Sequence, residues 1–277
     1  MMEILWETLI DNAKLFPFLF LTYLFIEYVE HHTSDKLYRI IRKTKQHGPF
    51  IGGCCAVIPQ CGFSLMAANL YAVRLISLGT LMSIFLATSD ETLPILISNN
   101  APKALLLMLV GYKMFCGILF GYAIDAFTGK NQENQHTIVN LCAHEHCHCD
   151  HSILRSALYH SLKITAFIFV ITLLLNILFF YIAPENIMTY VAYPVWEELV
   201  CGLFGLFPNC SSSVILTQLY LEDCISINAL ITGSLANSGA GLLVLCKVNR
   251  PGKQNILIVL LLLTFALLGG LISHILF

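Results

Sequence analysis

Charged side chains are scarce in this chain. Asp, Glu, Lys and Arg make up 12% of its 277 residues, against about 25% in an ordinary soluble domain. That shortage excludes a mostly water-facing surface. The charges that remain nearly cancel, to a net charge of −2, so nucleic acid finds no basic footprint here. No GxxxxGK[ST] phosphate loop occurs, which leaves a nucleotide-driven engine without its usual motif. The first residues are acidic, with no basic stretch and no small-residue cleavage site, and do not read as a removable signal peptide. No CxxC pair sits in an apolar run, which counts against a membrane-embedded thiol redox enzyme.

What the chain has in abundance is apolar length. Hydrophobic residues make up 57% of it. Stretches such as "ALLLMLVGYKMFCGILFGYAI" and "NILIVLLLLTFALLGGLISHILF" match the roughly 20 residues needed to cross a bilayer. The expected class is therefore an all-α integral membrane protein. Several of its 11 cysteines lie in apolar runs, where a free cysteine packs as a small hydrophobe.

The chain repeats itself. "IPQCGFSLMAANLY" at 58–71 lies against "FPNCSSSVILTQLY" at 207–220, with Pro59/Pro208, Cys61/Cys210, Ser64/Ser213 and Tyr71/Tyr220 each 149 positions apart. "ATSDETLPILI" at 87–97 lies against "ANSGAGLLVLC" at 236–246 at the same offset. Two homologous membrane halves follow, 1–128 and 155–277, joined by a polar linker, 129–154. Such repeats are a signature of secondary transporters.

Loop charges suggest that the halves are inverted. Lys36, Arg39, Arg42, Lys43 and Lys45 follow the first span, while the matching loop carries Glu185, Glu197 and Glu198 with no Lys or Arg. Arg74 is opposed by Asp223, and Lys247, Arg250 and Lys253 are opposed by Lys103 alone. Basic loops stay cytoplasmic. Matching loops then face opposite sides, giving about ten transmembrane segments in two five-segment repeats. Both termini are expected outside, and residues 128–155 in the cytoplasm. The second and third segments of each half form a short hairpin broken at Pro59 or Pro208. Proline removes a backbone donor and disfavours helix before it. A simple kink is the plainer alternative. Paired breaks in corresponding positions point to a binding site near the midplane.

Four clusters carry chemistry. The breaks offer Gln60, Cys61 and Ser64, with Asn209, Cys210, Ser211 and Ser213; soft thiolates and harder amide oxygens together suit a borderline metal ion. The second cluster is Thr88, Ser89, Asp90 and Glu91, with Asn237 and Ser238 as its counterpart. Carboxylates at membrane depth cost about 2.5–3.5 kcal/mol on insertion scales and read as functional. Their mates are Gly239 and Ala240, so the charge belongs to one half only. The third is Lys113, opposed by Leu262. It either pairs with Asp90 or Glu91, which would make the three a proton switch, or snorkels to an interface. The fourth is the linker tract "CAHEHCHCDH", with Cys142, His144, His146, Cys147, His148, Cys149, Asp150 and His151 as metal ligands. Dense His/Cys runs chelate metal, although the spacing is not that of a folded zinc module. Glu27, Glu30, His31 and His32 offer a weaker cluster at the cytoplasmic end of the first span.

The motifs "PQCGFS", "ATSDE" and "FPNCSSS", with the repeat and the His/Cys linker, resemble a prokaryotic family of ten-transmembrane heavy-metal exporters. That family is described as arsenic-permease-like and also as manganese transporters. The resemblance implies export of a toxic or excess metal across the plasma membrane. The expectation is a secondary exporter of a heavy or transition metal ion, manganese favoured, proton-coupled and working by alternating access. Its partners are the metal ion and the lipid bilayer, with a homo-oligomer open; no cofactor is expected beyond metal on the linker. Rival readings are a permease for arsenite, organoarsenicals or another thiophilic species, a membrane enzyme built on Glu197, Glu198 and Cys201, and a metal sensor.

Overall fold

A computed structural model describes residues 47–57, 62–88, 91–128, 153–182, 194–249 and 251–276, with helical positions between 5 and 24. All regular structure among the described residues is helical. In chain order the helices are α1 (Gly48–Cys55), α2 (Gly62–Ala72), α3 (Leu78–Ala87), α4 (Thr92–Ser98), α5 (Lys103–Thr128) and α6 (Ile153–Ile182). Then come α7 (Pro194–Gly205), α8 (Cys210–Leu221), α9 (Ile227–Ala236), α10 (Gly241–Val248) and α11 (Gly252–Leu276).

Among the described residues, five stretches are long and apolar enough to cross a bilayer: Leu78–Ser98, Lys103–Thr128, Ala157–Leu174, Ile227–Val248 and Gly252–Leu276. The 26 residues of α5 reach about 39 Å at 1.5 Å per residue, beyond the roughly 30 Å hydrocarbon core. α1, α2, α7 and α8 have 8, 11, 12 and 12 residues and cannot cross alone. Two of the five spans are discontinuous. α3 stops at Ala87 and α4 begins at Thr92; α9 stops at Ala236 and α10 begins at Gly241.

Local signals recur at the offset of 149. Ser77 caps α3 by accepting from the Thr80 N–H at 3.1 Å, and Ser226 caps α9 by accepting from the Ala229 N–H at 3.2 Å. A hydroxyl at this position satisfies one of the orphan donors of a first helical turn. Arg74 (φ 63°) and Asp223 (φ 57°) both sit in the left-handed region, each in the turn before its capping serine.

Within the first set of helices, α3 packs on α5 and α1 on both; within the second, α9 packs on α11 and α7 on both. Between the sets the exchange is reciprocal. α2 packs on α10, α8 packs on α4, and α3 touches α9. Close crossings rest on small residues, as is usual between membrane helices. A Cβ on Gly205 would lie 2.1 Å from the Gly233 carbonyl oxygen. The outer faces of α5 and α11 show Leu107, Phe115, Phe127, Ile256, Leu260 and Ile275. These aliphatic and aromatic faces suit lipid.

Candidate functional site

The two discontinuous spans bring polar main chain to the middle of the molecule. At the end of α3 the Thr88 backbone leaves the helix at φ −58°, ψ 124°. Its hydroxyl folds back to the Ile84 carbonyl at 2.6 Å, so its own carbonyl is released from the helical ladder. Glu91 precedes α4 in a helical conformation and is half-buried. At the end of α9, Asn237 leaves the helix at φ −79°, ψ 107°. Its side-chain oxygen accepts from the Gly239 N–H at 2.8 Å. Gly239 stands at φ 56°, a conformation costly for any residue with a Cβ. Asn237 and Ser238 are buried. The Asn237 Nδ2, a pure donor, is buried with no hydrogen-bond partner among the described residues.

Lys113 of α5 joins these ends. Its Nζ donates to the Thr88 carbonyl at 2.6 Å and to the Ser234 carbonyl at 2.7 Å. Only 2% of the residue is exposed, so it does not snorkel. A cation at a helix C-terminus is stabilised by about 0.3–2 kcal/mol, and here one ammonium serves two such ends. Each charge-assisted bond adds about 1.5–3 kcal/mol, against a desolvation cost of several kcal/mol. The sequence suggested a carboxylate partner. The described contacts of Lys113 include two main-chain carbonyls, which no side-chain pattern announces.

The hairpin helices flank these interruptions. A Cβ on Gly241, the first residue of α10, would fall 2.8 Å from the Ser64 Cβ, so the start of α2 lies directly on the second interruption. Ser64 is fully buried. On the other side α8 packs against α4. Pro208 lies in the turn between α7 and α8. There the Asn209 amide donates to the Asn176 side-chain oxygen at 2.5 Å, and the Ser211 hydroxyl donates to the same oxygen at 2.7 Å. Ser213 donates to the Cys210 carbonyl at 2.8 Å. Cys210 is half-buried and forms no disulfide among the described residues.

Two features escaped the sequence reading. Asn176 is a lone amide in the apolar run "TLLLNILFF"; it also donates to the Thr8 hydroxyl at 2.9 Å. Its isolation was the available signal. The second is a correction. Glu197 and Glu198 were read as part of a loop because they are charged, yet they lie in the first turns of α7. Glu198 is 2% exposed, and its carboxylate meets the His274 Nε2. A partner 76 positions away (198 and 274) makes that burial tolerable.

Gln60, Cys61, Ser89, Asp90, Pro59 and the linker ligands Cys142, His144, His146, Cys147, His148, Cys149, Asp150 and His151 lie outside the described residues, as do Glu27, Glu30, His31 and His32. Among the described residues no group of three or more His, Cys, Asp or Glu converges as a metal site.

A family model described as "Putative, 10TM heavy-metal exporter" matches residues 3–146, over half of the chain. Neither the curated proteins nor the solved structures yield a match.

Proposed function

Since the chain belongs to the ten-transmembrane heavy-metal exporter family and is a multi-pass membrane protein, we propose that it is a secondary transporter moving a divalent ion, manganese first, outward across the plasma membrane in exchange for protons. Asp90 and Glu91, in or beside the first interruption, supply the negative charge. Lys113 holds the neighbouring carbonyls and responds to that charge. Gln60, Cys61, Ser64, Thr88, Ser89, Asn209, Cys210, Ser211, Ser213, Asn237 and Ser238 line the route or hold its walls. Residues 1–128 and 155–277 act as inverted repeats that alternate access around the paired interruptions. Breaks at Pro59 and Pro208 bring the hairpin tips to the same level. The cytoplasmic tract between Cys142 and His151 concentrates the ion before transport, and both termini lie outside.

One observation carries this reading. A buried lysine ties together the ends of two interrupted helices from the two halves. Irregular backbone at membrane depth is tolerated only where it is buried in protein or lines a cavity, and paired interruptions of this kind surround transporter sites. The test is efflux of manganese from loaded vesicles. The double variant Asp90→Asn, Glu91→Gln is expected to lose it. Unchanged efflux would remove these carboxylates from the site.

A second reading has its own support. The buried Asn237 Nδ2 donor cannot satisfy a cation but can bond an oxygen of an arsenite-type oxyacid. In that case Cys61 and Cys210 supply thiol ligands. Replacing both with Ser would abolish arsenite transport, whereas manganese transport would only weaken.

A further inference from the structure

The long helices α5 and α11 end in matching positions with unlike groups. Asp125 in the last turn of α5 and His274 in the last turn of α11 are 149 positions apart. Asp125 clamps the start of α3: it accepts from the Ser77 hydroxyl at 2.7 Å and the Gly79 N–H at 2.8 Å. In the second half this clamp passes to Glu197, which accepts from the Ser226 N–H at 2.6 Å and its hydroxyl at 3.1 Å. His274 is thereby released for other contacts. Its Nε2 meets the Glu198 carboxylate, and its Nδ1 lies 2.9 Å from the Asn228 Nδ2. Asn228 and Glu198 occupy the positions of Gly79 and Pro49. Neither of those has a polar side chain.

The Ser273 hydroxyl lies 2.7 Å from the Asn228 side-chain oxygen and 2.6 Å from the Gly270 carbonyl. With the Asn228 amide nitrogen on the Nδ1 side, a neutral ring carries its proton on Nε2, toward Glu198. The pair then carries one negative charge, on a carboxylate that is 2% exposed. The His274 side chain is 41% exposed, against 3% for that of Glu198. A Cβ on Gly270 would stand 3.2 Å from the far oxygen of Glu198 and collide with Thr232. The missing side chain leaves that oxygen its space. The other titratable groups facing Glu198 are Glu197 and Cys201 on its own helix and Tyr112 of α5.

We propose that Glu198 and His274 form a proton-binding site, reached through the His274 ring and separate from the interruptions at 88–91 and 237–240. The imidazole takes a proton from water at Nδ1 and passes its Nε2 proton to the carboxylate, the Asn228 amide turning its oxygen to the new Nδ1–H, and the pair goes from one negative charge to none. The site adjoins the start of α9, the helix whose other end gives its Ser234 carbonyl to Lys113. From Asn228 to Ser234 is about 9 Å along a helix at 1.5 Å per residue, and residues 229–236 are all buried. A proton at Glu198 therefore acts on the lysine through one rigid element. Its role as the outward-facing proton port rests on the exchange reading above; its existence as a proton site does not.

Two measurements on the full-length protein test the two levels. In purified protein, pH-difference infrared spectra are expected to show a protonated-carboxyl band that grows as pH falls and is missing from Glu198→Gln but kept in Asp125→Asn. A band unchanged in Glu198→Gln overturns the site. In vesicles, Glu198→Gln is expected to keep manganese-for-manganese exchange and lose at least tenfold of pH-gradient-driven efflux, with His274→Gln shifting the pH profile. Gradient-driven efflux at the native level in Glu198→Gln overturns the port. If the native protein exchanges no manganese, the transport reading fails while the infrared result still decides the site.

Discussion

The two discontinuous spans share a plan and differ in content. In the first, α3 gives way to residues that include Asp90 and the half-buried Glu91, and α4 ends among exposed Ile97, Ser98 and Asn99. In the second, Asn237, Ser238, Gly239 and Ala240 are all buried, and the amide of Asn237 closes a small turn on Gly239. Asp90 and Gly239 occupy the same repeat position. The first stretch carries two carboxylates in its sequence; the second is buried and internally bonded. The difference teaches that the repeat supplies the interruption, and each half then spends it separately. Charge on both would leave two sets of carboxylates for one lysine.

The expected outcomes below run from the largest effect to the smallest, and the first two make one half resemble the other. Lys113→Leu copies Leu262. It would strand the Thr88 and Ser234 carbonyls, each at about 1–3 kcal/mol, and the yield of folded protein and all transport should fall together. Gly205→Ala copies Ala56 of the first half. With the Gly233 oxygen 2.1 Å from the new methyl, overpacking should cost about 1–3 kcal/mol, visible as a lower midpoint in detergent unfolding. Gly239→Ala removes the residue suited to φ 56° at a cost of about 1 kcal/mol, with transport reduced more than stability. Arg74→Gln breaks the bonds to Asn249 at 3.3 Å and Gln254 at 2.9 Å, which join the two sets of helices at one face. These hydrogen bonds are part-buried and together contribute about 1 kcal/mol net. Stability should move little, and a change in transport rate would mark this contact as a gate.

Much of the architecture was legible because hydrophobic length is a local property. The apolar runs behind α5, α6 and α11 could be placed from composition, and the repeat offset aligned the capping serines without gaps. The interruptions were harder to see. Residues 87–92 and 236–241 contain no proline; Asn237 and Gly239 are the local stop signals of the second, and the first has none as strong. The Thr88 and Ser234 carbonyls meet a lysine distant in sequence. Burial of Glu198 was hidden for the same reason, since its partner lies at the far end of α11. Asp90, Glu91 and Lys113 stood out because they broke the repeat. The described bonds of Lys113 to the Thr88 and Ser234 carbonyls leave no trace in side-chain identity.

The reciprocal packing of α2 on α10 and α8 on α4 bears on how such a chain is assembled and where it came from. Each half surrenders a helix to its neighbour, which is how two copies of one subunit meet around a two-fold axis. Fusing the halves converts a bimolecular encounter into an intramolecular one with a high effective concentration. Residues 1–128 and 153–277, produced as separate polypeptides in one cell, should therefore find each other and restore a working molecule, as an ancestral pair of half-sized chains once would have done.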